Sequence, residues 1–230
     1  IVSKILKKLF INNKFPKKVI LISSSSIYSK YYKNSLDKDL YKSFFEGEKR
    51  IIDLNKRFKY KSNFIILRTT MLWGDYYDKN INQIFYLLLN YKIFPVISNA
   101  NGLRAPLHNS DIANIIYKLL FKEIQDFTIY DVRGKTILKY KDMIKLVKSS
   151  NPKLKTSFII SIPFLLVKFL EILLNSIQNN KFTLKIKFII GALLRQREDL
   201  VYYYNDINKQ FSDYENLSFS QHLIKTYKRK

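Results

Sequence analysis

Two short apolar runs, KVILIS at 18–23 and NFIILR at 63–68, bracket a long amphipathic stretch, and that spacing limits the fold more than any other feature. Each run is continuous, rich in β-branched residues and bounded by polar residues, the pattern of a strand buried on both faces. Between them, residues 36–58 read as a helix, with Tyr41, Phe44, Phe45, Ile51 and Ile52 on one side and Ser35 as N-cap. Strand, helix, strand is a βαβ unit, so the two strands run parallel and the crossover is right-handed.

The same periodicities continue along the chain. Residues 2–10 read as a helix, and 81–91 as another with Ile81, Ile84, Phe85 and Leu88 in register. FPVIS at 94–98 is a short strand. In 111–122, Ile112, Ile115, Ile116, Leu119 and Leu120 follow the i, i+3, i+4, i+7, i+8 rule, with Ser110 as cap. FTIYDV at 127–132 is a strand stopped before Gly134, and 139–149 is a helix. The remainder reads as largely helical, apart from DLVYYYN at 199–205. There is no internal repeat and no low-complexity linker. Alternating strands and helices predict an α/β fold around a parallel sheet. Ligands in such sheets sit at the carboxyl ends of strands, which here are SSSSIYS at 23–29 and the segment after Arg68.

Charge and composition exclude some functions. The formal net charge is +23, but eight of the 41 basic residues are Arg and the lysines are scattered over amphipathic segments. With abundant Ile, Asn, Tyr and Phe, this is the composition of an A/T-biased coding sequence, and it reads as solvated surface rather than a specific nucleic-acid face. The field still attracts anionic ligands and surfaces at low salt. No cysteine is present, which rules out disulfides and thiolate metal sites. Two histidines, His108 and His222, are too few for a His-rich metal centre. No secretory signal is evident near the start, so the expected location is cytoplasmic. The most apolar window, 157–177, is interrupted by Pro163, Lys168 and Glu171. It reads as a packed helix after Pro163, with contact at a membrane surface as the second reading.

Several pieces in order resemble one family: VILISSSSIYS, FFEGEKRIIDL with its mid-helix Glu48, NFIILRTTMLWG, NGLRAPLHNSDIANIIYKLL, YDVRGKTILKYKDMIKLV and LLRQREDLVYYYN. Together they resemble the extended short-chain dehydrogenases/reductases, the NAD(P)-dependent sugar-nucleotide epimerases, dehydratases and reductases. The resemblance implies a Rossmann-like parallel sheet whose N-terminal half is missing, and a small, mostly helical C-terminal substrate-binding region. Residues 1–92 would be the C-terminal half of the nucleotide-binding domain. Residues 93–230 would form the substrate region, with 107–133 returning to the Rossmann domain. It also implies NAD or NADP as cofactor and a nucleotide sugar as partner.

Carried over by resemblance, Ser24 matches the catalytic Ser or Thr, four residues before Tyr28. Ser23, Arg68 and Thr69 fall where the family touches its cofactor, although Thr69 and Thr70 stand where a Pro usually follows Arg68. Arg104 and Arg195 match two arginines that grip the nucleotide sugar, a task that suits a planar cation with several donors. His108 and Asp111, at a helix start, read as structural. Trp73 and Tyr86 read as packing residues.

Two departures stand against these matches. The family holds the cofactor pyrophosphate on a Gly-rich turn before a helix. The five glycines here, Gly47, Gly74, Gly102, Gly134 and Gly191, are too far apart to form one. By resemblance, residue 1 falls in the helix before the catalytic-Ser strand, so the chain is expected to be the C-terminal portion of such a protein. The family also needs a Tyr with a Lys four residues later, because an unperturbed phenol of pKa about 10 is ionised to about one part in a thousand at pH 7. None of the 17 tyrosines has Lys at i+4. Leu40 and Phe44 occupy the pair's positions, with Tyr41 and Lys42 beside them but pointing elsewhere on the helix. The expectation is an epimerase/dehydratase-like chain, inactive alone, that associates with a missing N-terminal piece or with copies of itself. The alternative is a non-catalytic remnant or a module binding sugar nucleotides or a protein.

Overall fold

The structure is a computed structural model and describes residues 2–29, 38–59, 62–74, 78–124, 127–177, 180–207 and 217–227. Ser35, expected as a helix cap, and the side chain of Leu40 lie outside the described residues. The first βαβ unit forms as the sequence requires. Helix α1 (Val2–Ile11) precedes β1 (Lys18–Ser24), a 3-10 turn (Ser25–Tyr28), the long α2 (Lys38–Arg57) and β2 (Asn63–Thr69). Next come β3 (Leu72–Trp73), α3 (Ile81–Asn90), β4 (Ile93–Ile97), β5 (Leu103–Arg104), β6 (Leu107–His108), α4 (Asn109–Phe121) and β7 (Phe127–Val132). The chain continues through β8 (Leu138–Lys139), α5 (Tyr140–Ser149), β9 (Phe158–Ile162), α6 (Phe164–Asn175), α7 (Lys181–Leu194), a 3-10 turn (Arg195–Arg197) and α8 (Phe219–Tyr227).

The main sheet has the order β1-β2-β7, all parallel. Its central strand is sealed on both faces: Phe64, Ile65, Ile66 and Leu67 are fully buried, each contributing about 1.5–3 kcal/mol. Alternation sorts the two faces. Phe64 packs with Leu6 and Phe10 of α1 and Ile51 of α2, while Ile65 and Leu67 pack with Ile112, Ile115 and Leu119 of α4. Beside this sheet lies a second core, where the parallel pair β4-β9 meets α3, α5, α6, α7 and α8 around Phe85, Leu88, Met143, Ile144 and Leu193.

The differences from the sequence reading are local. Helix α4 begins at Asn109, and its cap is His108, whose Nδ1 accepts from Ser110 N at 3.2 Å, in place of Ser110. Strand β9 falls in a stretch read as largely helical. It forms because β4 offers a parallel edge across the whole register Ile93↔Phe158 to Ile97↔Ile162. The two-residue strands β3, β5, β6 and β8 are too short to leave a periodic signal.

Candidate functional site

Three side chains fall on one rung of the sheet: Ser23 of β1 pairs with Arg68 of β2, and Arg68 pairs with Asp131 of β7. All point to the α2 face, where Glu48 is buried. Arg68 grips Glu48 with two nitrogens, Nε at 3.1 Å from Oε1 and Nη2 at 2.6 Å from Oε2. Its Nη1 donates to the Tyr28 hydroxyl at 2.7 Å, and that hydroxyl donates to Asp131 Oδ1 at 2.9 Å. Ser23 Oγ donates to Glu48 Oε1 at 2.5 Å. The Arg68 guanidinium also sits 4.8 Å from the Tyr28 ring centre.

This network sets the charge states. Burial opposes the Arg68 charge, but the hydrogen bonds and charge of Glu48 and Tyr28 outweigh it, so the guanidinium is held more firmly protonated than usual. Burial pushes the Tyr28 phenol up; the Arg68 hydrogen bond pulls it down, Asp131 pushes it up, and the result lies above the ordinary value. Tyr28 is therefore a neutral hydrogen-bond donor at neutral pH, not a phenolate base.

The other residues expected here have local tasks. Ser24 Oγ accepts from Ser26 N at 3.2 Å and caps the 3-10 turn. Thr69 Oγ1 donates to the Ser23 carbonyl at 3.0 Å, tying β2 to β1, and Thr70 Oγ1 donates to the Ala105 carbonyl at 2.5 Å. A cavity of about 440 Å³ opens between α1, α2 and the outer edge of β1. Its lining includes Leu21, Ile22, Ser23, Phe44, Glu48 and Ile51. Phe44 presents an apolar ring there.

A second cluster joins the two expected substrate arginines. Arg104 is buried at the end of β5, its guanidinium 5.2 Å from the Tyr140 ring centre. Its Nη1 donates to the carbonyls of Leu103 (2.8 Å) and Glu198 (2.6 Å), and its Nη2 to the carbonyl of Arg195. Burial pushes the Tyr140 phenol up, against the lowering charges of Arg104 and Arg195 and a hydrogen bond with Gln196. So one guanidinium, that of Arg104, lies against the phenol, while that of Arg195 lies 5.8 Å from the Phe188 ring centre and its backbone carbonyl accepts from Arg104.

A third cluster was only half visible in the sequence. His222 Nε2 lies 3.0 Å from Asp111 Oδ2, both buried, and the His108 and His222 rings stack at 4.1 Å. Trp73 packs edge-on against His108 at 4.8 Å. This keeps Asp111 and Trp73 structural, and joins α8 to α4. Only the pairing of the two histidines could have flagged it, and nothing local in either segment gives that. Among the described residues, no group of His, Asp and Glu is arranged to hold a metal.

No family model matches the chain, and no curated protein does. Solved structures do. The dTDP-glucose 4,6-dehydratase of Bacillus anthracis in complex with NAD aligns with TM-score 0.63 at 15% identity, over 96% of this chain and 63% of that one. What is shared is the fold, a Rossmann-like α/β arrangement around a parallel sheet. UDP-glucose 4-epimerase of Thermotoga maritima with UDP-glucose aligns at 0.64 and 13% identity, over 99% of this chain and 68% of that one. A variant UDP-glucuronic acid 4-epimerase of Bacillus cereus, with NAD and a fluorinated UDP-sugar, aligns at 0.65 and 16%, over 99% and 65%. The chain thus spans less than two thirds of the dehydratase's length.

Two of these neighbours, the dehydratase and the glucuronic acid epimerase, hold NAD, a nicotinamide dinucleotide. This chain's own residues do not fit the whole of one: no Gly-rich turn is available for the pyrophosphate, and Ser23, Arg68 and Thr69 each hydrogen-bond within the protein.

Proposed function

We propose that this chain is the substrate-side, C-terminal portion of an NAD(P)-dependent nucleoside-diphosphate-sugar epimerase or dehydratase, inactive alone for want of a Tyr/Lys pair. The observation that carries the reading is the buried Arg104 clamp, which ties β5 to the backbone carbonyls of Arg195 and Glu198 and so fixes the segment that bears Arg195. Arg195 provides the positive charge and directed donors that a diphosphate requires, because the Nη donors of Arg104 are spent on backbone carbonyls. Arg104 builds the wall by clamping β5 to the 195–198 turn. Arg195, half-buried, is the one that reaches ligand. Ser24, at the end of β1, is the hydroxyl offered to the sugar, and Ser23, Arg68 and Thr69 shape the floor towards the nicotinamide.

A second reading, a non-catalytic module that binds sugar nucleotides, is favoured by two observations. Phe44, which by resemblance takes the place of the Lys, lines the cavity with an apolar ring, and Tyr28 is held as a neutral phenol. Neither can generate the base that hydroxyl oxidation demands.

One experiment addresses both. UDP-glucose and dTDP-glucose at about a hundred times their dissociation constant should stabilise the chain by about 2.7 kcal/mol. That corresponds to about 5–10 °C in thermal melting for a chain of this size. Arg195→Gln should reduce the shift at fixed ligand, while NAD and NADP alone give none. Oxidation or epimerisation of either sugar by the purified chain would refute the inactive assignment. Absence of any nucleotide-sugar shift would refute the binding site.

A further inference from the structure

Helices α6 and α7 pack against each other and, among the described residues, leave an apolar outer face uncovered. In α6 the buried stripe is Val167, Glu171 and Leu174, at i, i+4 and i+7. Nearly everything else on that helix is apolar and exposed, including Leu165 at 78%, Phe169 and Ile172. In α7, Phe182 at 70%, Phe188 and Ile189 face outward while Thr183, Ile190 and Leu194 face the core. An uncovered apolar surface of this extent marks a docking site.

The charges say what docks. Lys181 and Lys185 lie on the outward face of α7, with Lys185 three residues from Phe182 and Phe188 and four from Ile189. Lys168 flanks the exposed side of α6. The single acidic residue of the two helices, Glu171, is buried and paired with Lys168 at 2.6 Å. Lysine is depleted from the centres of protein–protein interfaces. It is well suited to a lipid boundary, where its stem lies along apolar surface and its ammonium reaches the headgroups. A second copy of this chain would bring the same cations, on a molecule of net charge +23, against them.

We propose that the α6–α7 hairpin seats this protein on the surface of an anionic phospholipid bilayer. The hairpin lies on the membrane and does not span it. Helix α6 has 12 residues, about 18 Å of helix against a hydrocarbon core of about 30 Å. Among the described residues, no helix is long and apolar enough to cross. Phenylalanine and leucine side chains enter the acyl boundary while Lys181 and Lys185 pair with headgroup phosphates. This assignment does not depend on the nucleotide-sugar reading.

Co-sedimentation of the full chain with phosphatidylcholine vesicles, with or without about a third phosphatidylglycerol, tests it. Binding should require the anionic lipid and weaken as salt rises. Lys181→Gln with Lys185→Gln should lower partitioning by about 25-fold, about fivefold for each lysine. Phe169→Ser with Phe188→Ser should lower it by at least about tenfold, since each removes an apolar ring from the boundary. Unchanged circular dichroism would show that both variants remain folded, as expected for exposed positions. Equal binding to neutral vesicles would overturn the proposal, as would full binding by the phenylalanine variant. So would lipid-independent oligomers that this variant dissolves, which would assign the face to a second copy.

Discussion

Arg68 serves Glu48, Tyr28 and the sheet at once, and its bonds decide what Tyr28 can do. The Tyr28 hydroxyl accepts from a permanent cation and donates to Asp131, whose Oδ2 in turn accepts from Asn205 N at 3.0 Å. Burial dominates, and ionisation moves above the usual phenol value. A pKa raised in the folded state makes a contribution to stability that is complete below the unfolded value, about 10, and is lost as pH rises through the folded one. We therefore expect urea stability to fall above about pH 10, and to fall less steeply in Tyr28→Phe, which has no proton to lose there. Denaturation series at rising pH measure this, and identical slopes for the two proteins would show that Tyr28 does not carry the effect. Tyr140 shifts in the same direction and leaves a residual slope in the variant.

At the scale of elements, β5 is held to the 195–198 turn from both sides. Gly102 N donates to the Gln196 carbonyl at 3.1 Å, Leu103 N to Asp199 Oδ1 at 2.8 Å, and Leu200 N to the Leu103 carbonyl at 3.0 Å. A Cβ at Gly102 would collide with the backbone of Arg197 and Glu198, which cannot swing away as a side-chain tip can. Gly102→Ala should therefore cost about 1–3 kcal/mol by forcing the two segments apart. If the proposed nucleotide-sugar site is correct, the substitution should also reduce the UDP-glucose shift, because the segments bearing Arg104 and Arg195 separate. A stable variant with unchanged nucleotide-sugar shift would mean that the two arginines do not act together.

The same contrast explains what the sequence discloses. Strands β1, β2 and β7 and helices α1 to α5 are legible because each buries a periodic face, and period is a property of consecutive residues. The ladder Ser23–Arg68–Asp131 is not, although Ser23 and Arg68 each stand out singly in the sequence. It exists only once three strands are in register, and Glu48 joins it only once α2 lies across them. Strand β9 was missed for a related reason: its own burial is slight, and the open edge of β4 decides its conformation.

The whole molecule carries its charge as an energetic load. With 41 basic and 18 acidic residues, the folded state concentrates like charges that the unfolded chain spreads apart. Exposed ion pairs offset little of this. Lys42–Glu46, Arg50–Glu46 and Lys145–Asp142 are surface pairs worth about 0–1 kcal/mol each. The strong pairs, Arg68–Glu48 and Arg133–Asp206, are largely shielded from solvent and respond weakly to salt. Screening should therefore relieve more repulsion than attraction, and the melting temperature should rise as sodium chloride goes from about 0.01 M, where the Debye length is about 30 Å, towards 0.15 M, where it is about 8 Å. Thermal melts across that range decide it; a fall would mean that favourable surface pairs outweigh the net charge. The same screening removes the repulsion that keeps copies apart, while β1, the edge of the three-stranded sheet, has no strand on its outer side among the described residues. Light scattering should accordingly show self-association growing over the salt range in which the fold itself becomes more stable.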